Sequence, residues 1–284
     1  MMVERRPLLD MLSHAVLLVG VLVVAFPVYL TFVASTHTAQ EIIQAPMPLL
    51  PGDQFLHNYE AALTGSERGP GSGAPVARMM WVSLVSAVVI AVGKIAISLL
   101  SAFAIVYFRF PFKQVVFWMI FVTLMLPVEV RIVPTYGVVA SLGMLDSYSG
   151  LIIPIIASAT ATFLFRQFFL SVPDELTEAA RVDGASPMRF FWDILLPMSR
   201  TSIAALFVIQ FIYGWNQYLW PLLITTKESF YTVVMTVSRQ ANVTDTVPHW
   251  NLLMAMALLA MLPPVLVVVF MQRQFVRGLV ETEK

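Results

Sequence analysis

The sequence predicts an all-α integral membrane protein with six transmembrane helices, both ends in the cytoplasm, and a cytoplasmic helical loop between the fourth and fifth spans. Three observations carry this. Hydrophobic residues make up 58% of the 284-residue chain and charged residues only 12%, with a mean hydropathy of +0.80, whereas a water-soluble domain has about a quarter of its residues charged. The apolar residues fall into six stretches of about the length that a ~30 Å hydrocarbon core takes as helix. The basic residues are shared unequally between the segments that join those stretches.

The first stretch, residues 12–35, follows Arg5 and Arg6 as a secretory signal would. It is too long for the apolar part of such a signal, and Thr31-Phe32-Val33 offers no small-residue cleavage site, so it reads as a span. An outer loop over residues 36–78 is rich in turn formers: Pro46, Pro48, Pro51, Gly52 and the Gly65–Pro75 stretch. Further spans follow at residues 79–108, 115–140 and 147–165, then a loop at 171–197 and a span at 202–223. A second outer segment, Thr225–His249, carries a polar patch at Asn242–Thr246, and the last span covers 251–271. With both ends inside, the cytoplasmic side receives Arg5, Arg6, Arg109, Lys113, Arg166, Arg181, Arg189, Arg200, Arg273, Arg277 and Lys284. The outer side receives Arg68, Arg78, Lys227 and Arg239, while Lys94 and Arg131 lie within spans. That imbalance orients the chain, read as one transmembrane domain over 1–284.

Several functional classes are excluded. The 17 basic and 17 acidic residues cancel, so no global charge points to nucleic acid. No cysteine is present, which removes disulfides and thiolate metal sites. The one Gly-Lys pair, Gly93-Lys94, has Val88 where a phosphate-cradling loop needs its first glycine and Ile95 where it needs a hydroxyl. His-Glu-x-x-His and Gly-x-Ser-x-Gly are missing, and His14, His37, His57 and His249 are scattered. The expectation is no catalytic residue, no metal site and no cofactor held by this chain.

The loop 171–197 carries the sharpest local signals. Pro173 suits a helix start, Asp174 and Glu175 place negative charge at its N-terminal end, and Gly184 supplies a stop, so the spacing predicts a helix over about 174–183. Ser186 as N-cap and Pro187 at the first position predict a second helix, with Phe190, Phe191, Ile194 and Leu195 as its apolar face. Ala179 and Ala180 keep one side thin, and the aromatic residues beside it are expected to stand exposed as an anchor for a partner groove. The competing reading is an amphipathic loop lying on lipid headgroups.

The spacing Glu178-Ala179-Ala180, three residues, Gly184, nine residues, Ile194, one residue, Leu196-Pro197 resembles the signature loop of the membrane subunits of bacterial ABC importers. In that family the loop is a coupling helix seated in a cleft of the ATPase, which implies coupling roles for Glu178, Ala179, Ala180, Asp183, Gly184, Phe190, Ile194 and Pro197. Residues 211–221 (FIYGWNQYLWP) resemble the fifth-span signature of carbohydrate-uptake permeases of the maltose type, with Gln217 where many carry a carboxylate. Residues 124–134 (LMLPVEVRIVP), 144–150 (MLDSYSG), 157–169 (ASATATFLFRQFF) and 271–280 (MQRQFVRGLV) are similar to the smaller permeases of glycerol-3-phosphate uptake. The resemblance implies a heterodimer with a second permease, a homodimeric ATPase below that holds the ATP and Mg, and a periplasmic binding protein above. A neutral sugar fits the architecture equally well, whereas an autonomous channel would need a full pore lining that the sequence does not show.

Within the spans, Lys94 costs about 2.5 to 3.5 kcal/mol at a bilayer centre and so needs a partner. Glu129 is the candidate, with Arg131 two residues on, between Pro127 and Pro134. Lys94 or Arg131 suits a phosphate-bearing solute in transit, and an internal ion pair between spans is the alternative. Asn216 and Trp220, four residues apart, are expected to share a helix face suited to a glycerol moiety, with interhelical packing as the alternative.

Overall fold

The computed structural model describes residues 7–66, 74–123, 126, 128–242 and 249–280, with the backbone alone at 7, 128, 129 and 273–280. Arg5, Arg6, Arg68, Lys284, most of the Asn242–Thr246 patch and the side chains of Glu129, Arg273 and Arg277 therefore lie outside the described residues. Among the described residues all regular structure is helical.

Helix α1 (Pro7–Ser35) starts on a proline whose missing N–H costs nothing there, and it is almost wholly exposed along its apolar length. Such a surface is stable only in lipid or against another protein. Its last carbonyls are taken up by Ser35 Oγ, donating to Phe32 O at 2.7 Å, and Thr36 Oγ1, donating to Val33 O at 2.7 Å. Two short helices follow, α2 (Ala39–Ile43), opened by a Thr38/Glu41 capping box, and α3 (Phe55–Thr64). Helix α4 (Val76–Tyr107) is the second expected span, unbroken over 32 residues. Lys113 Nζ donates to Val106 O at 3.1 Å, placing a cation on the negative end of α4.

The expected third, fourth and fifth spans are not single helices. Residues 115–140 divide into α5 (Lys113–Val122) and α6 (Val128–Ser141). Residues 147–165 divide into α7 (Tyr148–Ile152) with a 3₁₀ turn at Ile153–Ile155, then α8 (Ala159–Leu170). Pro154 and the N-cap Ser158, accepting from Ala161 N, account for that 48° bend. The loop holds α9 (Asp174–Val182) and α10 (Pro187–Phe190), followed by a π-helical turn at Phe191–Leu195 and α11 (Leu196–Met198). Helix α12 (Arg200–Trp215) leaves this run at 73°. The rest of the expected fifth span is a separate α13 (Leu219–Ile224), succeeded by α14 (Val233–Ala241) and α15 (Trp250–Val280). Among the described residues three helices are long and apolar enough to cross a membrane, Leu8–Ser35, Val76–Tyr107 and Trp250–Gln272, or up to five if each bent pair counts as one span.

The chain forms two compact units, residues 1–77 with 237–260 and residues 78–236 with 261–284. The first is tied by a buried amide network. Asn58 Nδ2 donates to Ser35 O at 2.9 Å and His37 O at 2.8 Å, and Asn251 Nδ2 donates to Asn58 Oδ1 at 2.9 Å. These bonds join the end of α1, helix α3 and the start of α15 where a bare amide would be costly. The second unit has two apolar clusters along α4. One gathers Val82, Ile90, Ile132, Leu151, Trp220 and Ile224, and the other gathers Leu99, Phe103, Phe165, Phe169, Phe190 and Leu195. Between them α12 meets α4 backbone to backbone: a Cβ on Gly214 would stand 3.0 Å from Ala87 Cα, tight enough that α4 would have to give way.

Candidate functional site

The loop 171–197 folds as a helical corner. Helix α9 ends in a Schellman arrangement: Ala185 N donates to Ala180 O at 2.9 Å and Gly184 N donates to Arg181 O at 3.1 Å. Gly184 has φ 69°, and open space surrounds its missing Cβ, so glycine is needed for the backbone turn and not for room. Ser186 accepts from Arg189 N at 3.3 Å and Pro187 occupies the first helical position, both as the sequence predicts.

The signature residues divide into two sets. Glu178, Ala179, Asp183 and Gly184 are exposed, while Ala180 and Phe190 are buried and Ile194 and Pro197 are half-buried. The expectation of exposed aromatic anchors at Phe190 and Phe191 is corrected: both are buried, at 5% and 3% exposure. Phe190 packs edge-on against Tyr107, ring centroids 5.3 Å apart, and Phe191 lies 5.0 Å from Phe103. Tyr107 also touches Phe169 and donates its hydroxyl to Phe169 O at 3.2 Å. The reason is that the predicted apolar face of Phe190, Phe191, Ile194 and Leu195 is covered by α4 and α8 of the same chain, which leaves Trp192, off that face, to point outward. The apolar groups actually presented are Val182 at 88% exposure, Met188 and Trp192.

Inside the second unit, Lys94 is buried and its Nζ stands over the Tyr213 ring, 3.5 Å from the centroid. The sequence pointed to Glu129 as its partner, and that side chain lies outside the described residues. A cation on an aromatic face is held by about 0.5 to 2 kcal/mol. Arg131 is exposed. Asn216 and Trp220 do not share a face, because α12 stops at Trp215 and α13 begins at Leu219. Asn216 is exposed beyond the end of α12, whereas Trp220 is buried and its indole Nε1 donates to Gly150 O at 3.0 Å. Trp220 is thus a packing residue between α13 and α7.

A second junction was not singled out as a site. Asp146, at φ 51°, accepts from Thr226 N at 2.6 Å, Thr226 Oγ1 at 2.7 Å and Lys227 N at 2.8 Å, while its own N–H donates to Ile224 O at 3.1 Å. Slight burial pushes its carboxyl up, but these bonds and the Lys227 charge outweigh that and hold it below its ordinary 3.8. The signal was present in the segment MLDSYSG, where Asp146 precedes a Ser147 that caps α7 by accepting from Gly150 N. Among the described residues no group of three or more metal-ligating side chains occurs.

Residues 94–281 match the family model described as binding-protein-dependent transport system inner membrane component. Over its full 284 residues the chain is 58% identical to the sn-glycerol-3-phosphate transport system permease protein UgpE of Brucella melitensis and to that of Agrobacterium fabrum, each covered completely. It is 56% identical, again over both full lengths, to the protein of the same name from Escherichia coli. A crystal structure of a bacterial ABC transporter involved in the import of the acidic polysaccharide alginate has a chain that matches this fold with a TM-score of 0.76 and 20% identity, covering 97% of this chain and 99% of that one.

Proposed function

Because the chain belongs to the family of binding-protein-dependent transport system inner membrane components, we propose that it is a permease subunit of an ATP-driven importer of sn-glycerol-3-phosphate. The observation that carries the cargo is the 56–58% identity along the whole chain to permeases of that name. On this reading the chain is a multi-pass inner-membrane protein with six spans, the third, fourth and fifth of them broken, and with both ends in the cytoplasm. It works beside a second permease, above a separate homodimeric ATPase that holds the ATP and Mg, and below a periplasmic binding protein.

The corner at Gly184 seats in the ATPase. Glu178, Ala179 and Asp183 supply the polar contact, and Val182, Met188 and Trp192 supply the apolar one. Behind that face, Ala180, Phe190 and Ile194 belong to an apolar cluster with α4 and α8, so displacement of the corner moves the spans instead of bending a loop. The chain supplies the lever and the partner supplies the free energy.

Lys94 is the cation proposed to meet the cargo's phosphate, with Arg131 and Asn216 along the same route and Glu129 as its modulating charge. A Tyr213 ring suits a transit site better than a carboxylate would, since it steadies the ammonium without neutralising it. Trp220 is left out of the route, its N–H being committed to Gly150.

The test is uptake by proteoliposomes containing this chain, the second permease, the ATPase and the binding protein. ATP-dependent accumulation of sn-glycerol-3-phosphate, uncompeted by maltose-type sugars, is expected only with all four present. Preference for the sugar would overturn the cargo, and uptake by this chain alone would overturn the subunit role. Lys94→Gln is expected to raise KM for the phosphate ester with the ATP cost per solute unchanged; an unaltered KM would return Lys94 to structure.

A further inference from the structure

The end of α4 and the corner enclose a cleft of about 190 Å³ that the coupling role does not use. Phe103, Tyr107, Phe108 and Phe190 make its walls aromatic, and two arginines, Arg109 and Arg181, also line it. Both arginines are exposed, and among the described residues neither makes an ion pair. Arg109 lies two residues beyond the last residue of a 32-residue apolar helix. Phe108 and Phe112, on either side of it, are 42% and 77% exposed.

Charge and level together select an occupant. Two guanidinium groups without an ion-pair partner among the described residues suit an anion with several acceptor oxygens. Aromatic walls continuous with the flank of a span require that the anion carry an apolar body, which free phosphate does not have. The place where a span leaves the hydrocarbon is where lipid headgroups are found, and anionic lipids are concentrated on the cytoplasmic leaflet. We propose that this cleft binds an anionic phospholipid, its headgroup phosphate between Arg109 and Arg181 and its glycerol end against Phe108 and Phe190. The lipid would wedge the corner against α4, making the lever's stiffness depend on the surrounding membrane. The proposal rests on the reading that the end of α4 faces the cytoplasm.

The test uses the intact importer complex in nanodiscs of phosphatidylcholine doped with a photoactivatable phosphatidylglycerol, with labelled residues mapped by mass spectrometry. Label is expected on cleft residues, reduced about fivefold in Arg109→Gln or Arg181→Gln and about thirtyfold in the double variant, at about 1 kcal/mol per arginine near an anionic surface. Arg109→Lys with Arg181→Lys is expected to keep most of the label, separating charge from misfolding. No cleft label, equal labelling by a phosphatidylcholine analogue, or competition by inorganic phosphate would each overturn the proposal. So would label that appears only after the ATPase is stripped away, since the cleft would then be the ATPase's. The topology is tested separately with Phe112→Cys in this cysteine-free chain, using a membrane-impermeant maleimide from each side. Reaction from outside would sink the topology itself, whereas reaction from inside without cleft label would sink the lipid site alone.

Discussion

The corner at Gly184 and the junction at Asp146 both hold a loop onto the helices of the second unit, and they are built in different ways. At the corner the attachment is apolar: Phe190, Phe191 and Leu195 are buried against Phe103, Tyr107 and Phe165, while Glu178 and Asp183 are exposed. At Asp146 a partly open carboxylate accepting three hydrogen bonds is added to the apolar packing of Leu151, Trp220 and Ile224. Rings in direct contact, such as Phe190 on Tyr107 and Phe191 on Phe103, transmit displacement from one to the next. A hydrogen-bonded tie, each bond worth about 1 kcal/mol net, can open and re-form. The difference teaches that the end proposed to receive force is welded and the other end is latched.

The contrast breaks most readily at Phe190. Phe190→Ala should cost about 3–5 kcal/mol of local stability, and ATP-dependent uptake should fall to background although the exposed face that meets the ATPase is intact. The check is uptake beside ATPase co-purification: retained co-purification with lost uptake separates lever from docking surface, and normal uptake would mean that the ring is not the weld. Val182→Asp attacks the other half. At 88% exposure Val182 supports no core, so folding should be unchanged while ATPase co-purification drops at least about tenfold, as for a central interface residue worth above about 1.4 kcal/mol. Unchanged co-purification would remove Val182 from the interface. Gly184→Ala should be milder, about 1–2 kcal/mol for a left-handed alanine, and should lower uptake several-fold without releasing the ATPase. A wild-type rate would show that the turn tolerates strain.

Much of the corner was legible because its signals are local. A proline at a helix start, Ser186 as cap and Gly184 as stop each act on backbone within four residues. That Phe190, Phe191, Ile194 and Leu195 share a face was legible from their spacing, but that this face turns onto α4 and α8 was not, because the residues that cover it, Phe103, Tyr107 and Phe165, are distant in the sequence. The span breaks failed to show for a related reason. In an apolar stretch hydropathy is blind to direction, so Asn216-Gln217-Tyr218 read as helix although α12 ends there. Lys94 was visible as an intramembrane charge, but Tyr213 was not, because the two meet only when α4 and α12 approach at Gly214 and Ala87.

The smallest expected effect lies at the latch, and its pH dependence gives the contrast its finest test. Asp146→Asn keeps the shape and removes the charge, so the backbone N–H of Lys227 and both groups of Thr226 lose a charged acceptor. The residue is partly open to solvent, and the loss should stay below about 1 kcal/mol. A carboxyl whose folded value lies below its ordinary 3.8 stabilises the fold above that ordinary value and loses the contribution as pH falls through the folded one. The difference between wild type and Asp146→Asn should therefore be constant from about pH 5 upward and close below about pH 4. Hydrogen exchange at the Thr226 and Lys227 amides reads it directly: faster exchange in the variant at neutral pH, converging in acid, is the expected result. A corner welded by rings should show no such dependence in the same experiment at Ala185, whose amide is bonded to Ala180 O. Equal pH sensitivity at both places would erase the distinction between weld and latch.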